Sequence, residues 1–560
     1  MLVFGVIPLY NNCMIQKGVT LMKEIYINAK VFTGDDNLKS AFIVENGVFA
    51  YVGSTEDALL KKENNDTVFD LDGKFVSPGF IDSHMHIINY GHALEVCDLI
   101  NATSSIDDVV NALIAFKNEK NIPDGEWIIG RGFNQDCFSG AKELPTRQQL
   151  DRVSTTHPIS ITRSCGHCQS VNTKALEMLG IDGSLPQPYG GQFDLDENGY
   201  PTGVFRDAAM DMIQTHFKTP TKADFKRMIE RVVKKLNSLG ITGVHTDDFC
   251  VFDKVDYEDV ISAYKELEAE GKLTVRVNEQ SQFVKPDALK GFLSKGYKTG
   301  IGTDLFKIGP LKLLGDGSLG ARTAFLTGEY QDQPGEKGLA IFTQEELDEL
   351  IEIAHLGGMQ IAVHCIGDGV LDMVLSSYER AFALAPERDH RSGIVHVQLT
   401  RKDQLEKMAN MHLHAYAQTA FLDYDAYIVE SRVGKELADT SYAFHTLKTL
   451  GCHVSNGTDC PVEIPNPLRG IQIAVTRMPL KEDIPPYNPH ECMTISEALN
   501  SYTAEGAYAS FDENKKGSIK EGLLADFVIL DANPFEAKTN EIHKIKALKT
   551  YLGGKIVYEA

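Results

Sequence analysis

Two histidines one residue apart, His84 and His86, close the apolar run SPGFIDSHMHI. Alone the pair means little: a chain with 17 histidines in 560 residues holds about half such a pair by chance, and this one has a second copy, His412-Leu413-His414. The first pair gains meaning from the donor residues downstream of it. Lys312 and Asp316 stand in LKLLGDGS, His364 in QIAVHCIGD, His396 in SGIVHVQL and Asp459 in CHVSNGTDCPV. Imidazole nitrogens with a carboxylate suit zinc and other borderline divalent ions. Such an ion activates water and polarises a carbonyl, so the chemistry on offer is metal-assisted hydrolysis. Each residue also has an ordinary reading. His396 in an apolar strand can be a hydrogen-bonded core residue, Lys312 can pair with Asp316, and Asp459 before Cys460-Pro461 can cap a turn.

Elements must bring these residues together. Eight strand-like runs alternate with helical patterns: FVSPGFIDSHMH, GITGVHTDDF, KLTVRVNEQS, LFKIGPLKLLGDGS, QIAVHCIGD, SGIVHVQL, HLHAYAQTAF and CHVSNGTDCPV. Between most of them lie amphipathic stretches such as TQEELDELIEIAHLGG and TRKDQLEKMANM. Strand-helix alternation implies right-handed crossovers and a parallel sheet. Eight such units predict an α/β fold, a (β/α)8 TIM-like barrel, with its site at the carboxyl ends of the strands. His84 and His86 end the first strand and, as alternate residues, share a face. Lys312 then lies on the fourth strand, His364 ends the fifth, His396 lies on the sixth, and Asp459 stands near the end of the eighth. The second histidine pair opens the seventh strand, roughly 13–20 Å below Gln418 at the mouth, and reads as ordinary strand residues.

Composition narrows the classes further. The net charge is −23 with no basic run of note, so nucleic-acid and anionic-membrane partners are not expected. A chain of 560 residues, 43% hydrophobic, exceeds a single core. No apolar run reaches transmembrane length. The opening MLVFGVIPLYNN lacks the basic flank and cleavage site of a signal peptide, and Met22 directly precedes the strand-like KEIYINAKVF; residues 1–21 read as a tail or a misassigned start. Ten scattered cysteines suit a reducing cytoplasm. Cys165-Gly166-His167-Cys168 has the spacing of a disulfide oxidoreductase, but the chain far exceeds a thioredoxin-like domain and no tryptophan precedes the first cysteine.

The segments GKFVSPGFIDSHMH, PTRQQLDRVSTTHPISITRSCGHCQSVNTKAL, LKLLGDGSLGARTA, HCIGDG, NGTDCPVE and KGSIKEGLLADFVILD together give the chain its likeness. It resembles the amidohydrolase superfamily, and within it the branch of N-substituted formamide deformylases and exoenzyme-regulatory proteins, over nearly the whole length from Met22. The resemblance implies a small β-sandwich built from both chain ends, about residues 22–78 and 512–560, around a hydrolase barrel at 79–511. It implies a long insertion after the first barrel strand, about residues 90–235, covering the mouth. It also implies that Lys312 is carboxylated and bridges two metals, with His84, His86 and Asp459 on one and His364 and His396 on the other. The expected ion is zinc, one or two per chain.

By the same resemblance Asp459 moves a proton from the attacking water to the leaving nitrogen. His167, Arg322, Asp316 and Gln418 are the expected substrate contacts, while Asn172 caps the helix TKALEML. The chain departs from the pattern at Cys165, where relatives often have aspartate, at Thr458, where many have serine, and at Asp207, where glutamate is common. The implied reaction is hydrolysis of a non-peptide, amide-type C–N bond in a small molecule. Deamination and a non-catalytic regulatory role are the alternatives. Superfamily deaminases carry a glutamate three residues after the strand-five histidine, where this chain has Gly367, and a regulator would be expected to have lost a ligand. A homodimer is left open.

Overall fold

The computed structural model describes residues 22–560 apart from 101, 103, 136, 137, 141, 164–167, 189, 190, 215, 216, 218, 253, 254, 386, 387 and 481–483. Its largest sheet has eight strands: β1 (Phe80–Met85), β2 (Ile241–Thr246), β3 (Arg276–Gln282), β4 (Phe306–Leu314), β5 (Ile361–Cys365), β6 (Gly393–His396), β7 (His414–Ala417) and β8 (Val454–Asn456). Neighbours in the chain are neighbours in the sheet, and every pairing is parallel. This is the TIM-like barrel that the alternation predicts. The strands are buried almost throughout, as a sheet covered on both faces requires.

The crossover helices form for local reasons. In Gln344–Leu356, between β4 and β5, Thr343 and Glu346 make a reciprocal capping box. Leu347, Leu350, Ile351 and Ala354 then recur at three- and four-residue spacing and form the buried stripe. Lys222–Asn237, preceding β2, starts from a similar box at Thr221 and Asp224.

Two further sheets flank the barrel. One holds Val48–Gly53, Ala41–Glu45, Glu24–Ile27 and Thr67–Asp70 in that order. The other runs Lys30–Val31, Phe75–Pro78, Phe527–Leu530, Ala547–Leu552 and Lys555–Glu559, so it joins the two ends of the chain. Tyr26, Phe42, Phe49, Phe527 and Tyr551 pack in one apolar cluster between them. The run FVSPGFIDSHMH, expected as one strand, is divided. Phe75–Pro78 pairs with Phe527–Leu530, while Phe80–Met85 enters the barrel. Gly79 is the joint, where an added Cβ would lie 2.1 Å from Thr242 Oγ1.

Between β1 and β2 the chain builds a six-stranded sheet from Cys97–Asp98, Ile128–Phe133, Ile159–Arg163, Cys168–Val171, Gly191–Leu195 and Pro201–Asp207. Cys165 and His167 lie outside the described residues. Cys168 opens a strand rather than a helix, so the helix N-terminus that activates a redox thiol does not follow it directly. The helix comes later, at Thr173–Leu179, and Asn172 does cap it: its Oδ1 accepts from Ala175 N at 3.0 Å.

The second histidine pair needs correction. His412 sits in a turn with φ 52°, and only His414 belongs to β7. His414 is buried with Nε2 2.8 Å from Ser455 Oγ, at the strand end remote from Gln418. No helix among the described residues is long and apolar enough to cross a membrane.

Candidate metal centre

β1 carries His84 at its buried end, and His86 caps the next helix, Ile87–Ala93. Asp459 stands three residues past β8, and its amide donates to the His84 carbonyl at 2.7 Å. Both imidazoles therefore meet one carboxylate oxygen: His86 Nε2 is 3.0 Å and His84 Nε2 3.4 Å from Asp459 Oδ1. The donor atoms of these three residues lie within 4.8 Å of one another.

The far side of each ring is fixed. His84 Nδ1 donates to Gln280 Oε1 at 2.7 Å, and His86 Nδ1 donates to the Asp247 carbonyl at 2.9 Å. Binding each Nδ1–H to an acceptor leaves Nε2 as the ligand atom, an arrangement typical of metal-binding histidines. Gln280, on β3, and Asp247, just past β2, are absent from the expected site. The signal for both was a polar side chain at the carboxyl end of an apolar barrel strand.

Electrostatics tie the three together. Burial opposes charge on His86, but the bond to Asp459 and the charges of Asp459 and Asp247 outweigh it and raise the imidazole to about 9. Burial likewise opposes charge on Asp459, yet the His86 bond and the surrounding imidazoles hold its carboxyl far below the usual range. His84 goes the other way: burial, then the charge of Lys312, keeps it neutral.

The second group of expected ligands lies alongside. The rings of His364 and His396 are 4.4 Å apart, and that of His396 is 5.7 Å from His84. His364 Nε2 donates to Gly317 O at 3.0 Å, while His396 Nδ1 is buried with no hydrogen-bond partner among the described residues. His396 and Asp459 both adopt left-handed backbone, at φ 77° and 54°. Such conformations cost roughly 1–3 kcal/mol each in residues other than glycine, and they cluster at functional sites.

Lys312 is buried in the barrel wall, but its neighbour is not the expected one. Its Nζ is 3.7 Å from Asp247 Oδ2. Asp316 is engaged elsewhere, its carboxylate accepting from the amides of Ile366, Gly367 and Phe325 at 3.0, 2.8 and 2.9 Å. Three backbone donors make it a staple between the loops after β4 and β5. Arg322 is likewise committed: a two-pronged ion pair at 3.1 and 2.6 Å joins it to Asp332 in a half-buried loop. Gln418 is buried against His396 at the end of β7. His167 lies outside the described residues.

The family model described as Amidohydro_3, amidohydrolase family, matches residues 67–558. The Bacillus subtilis protein YtcJ is 32% identical over 542 residues, covering 96% of this chain and all of its own. The N-substituted formamide deformylase of Arthrobacter pascens is 25% identical, covering 97% of this chain and 99% of its own. Among solved structures, an uncharacterized metal-dependent hydrolase from Pyrococcus furiosus superposes with a TM-score of 0.73 at 29% identity, over 92% of this chain and 100% of that one.

Proposed function

The chain belongs to the amidohydrolase family, and from that membership we propose that it is a metal-dependent hydrolase cleaving an amide-type C–N bond of a small molecule. The observation that carries the reading is the convergence of His84, His86 and Asp459, with both Nδ1 atoms already occupied by acceptors. The donor set fits a divalent ion, most simply zinc: two neutral-capable imidazoles, a carboxylate and further histidines on β5 and β6. The similarity to a formamide deformylase and to a metal-dependent hydrolase supports the same reading.

When bound, the ion supplies Lewis acidity, acidifying water and polarising a carbonyl. The chain's own residues do the rest. Both histidines use Oδ1 of Asp459, leaving Oδ2 uncommitted among the described residues. Asp459 takes the proton of the attacking water through that oxygen and delivers it to the departing nitrogen. Gln280 and the Asp247 carbonyl hold the two imidazoles in register meanwhile. Deamination is the less favoured branch. A Cβ at Gly367 would lie 2.0 Å from Phe325 O, so the carboxylate of superfamily deaminases has no room there.

Lys312 decides between one ion and two. A carbamate on Lys312 would face the Asp247 carboxylate now 3.7 Å from its amine, and that repulsion is relieved only with cations between them. We take carboxylation as the reading, with His364 and His396 on the second ion. Elemental analysis should then find about two metals per chain, and Lys312→Ala should be inactive but partly rescued by small carboxylates. One metal per chain without rescue would leave a mononuclear site with a Lys312–Asp247 ion pair. The activity itself is tested on N-substituted formamides, acyl-amino acids and cyclic amides, with chelation abolishing turnover and zinc restoring it. Undiminished turnover in metal-stripped protein would overturn the proposal.

A further inference from the structure

The proposed ligands come from both sides of the barrel's seam. Among the described residues β1 and β8 share no ladder, and just past the strand ends two backbone bonds cross the seam, Asp459 N to His84 O at 2.7 Å and His86 N to Cys460 O at 2.8 Å. On the strand side of these bonds a buried side chain spans the gap as well. Asp82, two residues before His84, accepts from the His84 amide at 3.2 Å and from the Thr458 amide at 3.0 Å through Oδ1. Its Oδ2 accepts from the Thr458 hydroxyl at 2.5 Å. The same hydroxyl accepts from the Cys460 amide at 3.3 Å. One carboxylate thus grips the backbone of the first ligand and both polar groups of the residue before the last.

The contact is close and committed. An added Cβ at Gly457 would lie 2.5 Å from His84 N and 2.9 Å from Asp82 Oδ1. Asp82 is fully buried and no cationic side chain pairs with it among the described residues. A buried carboxylate without an ion-pair partner is an expensive way to join two strands, since an apolar contact would cost less. What it provides is direction: it fixes the backbone of Thr458 immediately before the left-handed turn at Asp459, adding to the backbone bonds that Asp459 N and Cys460 O make to His84 and His86.

We propose that Asp82 is a positioning residue, which with Thr458 clasps the first and last barrel strands so that His84 and Asp459 are held at ligand distance before any ion arrives. The proposal rests on the metal reading above, and one titration separates the two. Metal-free protein is titrated with zinc under a competing chromophoric chelator at 25 °C, and thermal unfolding and far-UV circular dichroism are recorded on the same samples. Outer-sphere partners of metal ligands typically change affinity about 10–100-fold. Asp82→Ala should weaken zinc binding by about that factor, and Thr458→Val by about tenfold at the lower end of it. Asp82→Asn, which keeps an oxygen for the two amides, and Thr458→Ser, which keeps the hydroxyl, should stay within about threefold of the parent, well inside that range.

If the parent chain binds no zinc, the metal reading itself fails. If it binds and Thr458→Val and Asp82→Ala bind equally tightly while melting earlier, Asp82 is a fold-stabilising residue only and the clasp is overturned. Should Asp82→Ala not fold, Thr458→Val against Thr458→Ser carries the decision, because those two differ at the hydroxyl bond.

Discussion

At the scale of single residues, Asp459 has two duties that mutation can separate. It is the proposed ligand through one oxygen and the proposed proton carrier through the other. Asp459→Asn keeps the shape and one ligand oxygen, so kcat should fall by several orders of magnitude with a smaller change in KM, provided that elemental analysis shows the metal retained. His86 yields a pH prediction with a definite sign. Its imidazole is raised to about 9 in the metal-free protein, so it is protonated on Nε2 below that pH and neutral above. A metal must displace that proton. Apparent zinc affinity should therefore rise about tenfold per pH unit up to pH ~9 and level off beyond. Potentiometric release of no proton at pH 7 would contradict it.

At the scale of elements, β3 does more than fill the barrel wall. Arg276 at its start reaches the sheet that joins the chain ends, with Nε 2.6 Å from Asp526 Oδ2 and Nη2 2.9 Å from Oδ1. The Gly553 amide donates to the same Oδ1 at 2.7 Å. Breaking one partner of a buried pair leaves an uncompensated charge, so Asp526→Ala should destabilise the protein by about 3–5 kcal/mol, read from denaturant unfolding. Gln280, four residues further along β3, holds His84 instead, so one strand couples the flanking sheet to the site. The strand pattern that predicts the barrel was readable because β-branched runs and capped amphipathic helices are set by neighbours within a few residues. The division of the first run at Gly79 was not, because only its two distant pairing partners distinguish Phe75–Pro78 from Phe80–Met85.

At the scale of the whole molecule, the proposed ion ties together β1 and the loop after β8, with β4, β5 and β6 around it if both sites fill. Anything that binds the folded state alone stabilises it by mass action, about 2.7 kcal/mol at a free concentration one hundred times the Kd. Stripping the metal should lower the melting temperature, and zinc should restore it in a concentration-dependent way, measured by scanning calorimetry. A melting temperature independent of zinc would mean that no ion bridges these strands. The segment between β1 and β2 has apolar clusters of its own.

The amino-acid sequence by itself determined the family, the barrel and the set of imidazoles and carboxylates at one end of its strands. These derive from periodicity, from end-of-strand position and from motif segments that read locally. Only the tertiary structure decided who partners whom. Asp316 and Asp247 both lie close beyond a strand end, and nothing in their spacing tells which turns to Lys312. The amides of Ile366, Gly367 and Phe325 capture Asp316, so Asp247 is left to face the lysine. Gln280 and Asp82 look like ordinary polar strand residues until the barrel closes and brings them to His84 and Thr458. Such contacts join residues hundreds of positions apart, and their energy exists only after the chain has paid the entropy of closure, so no local pattern announces them.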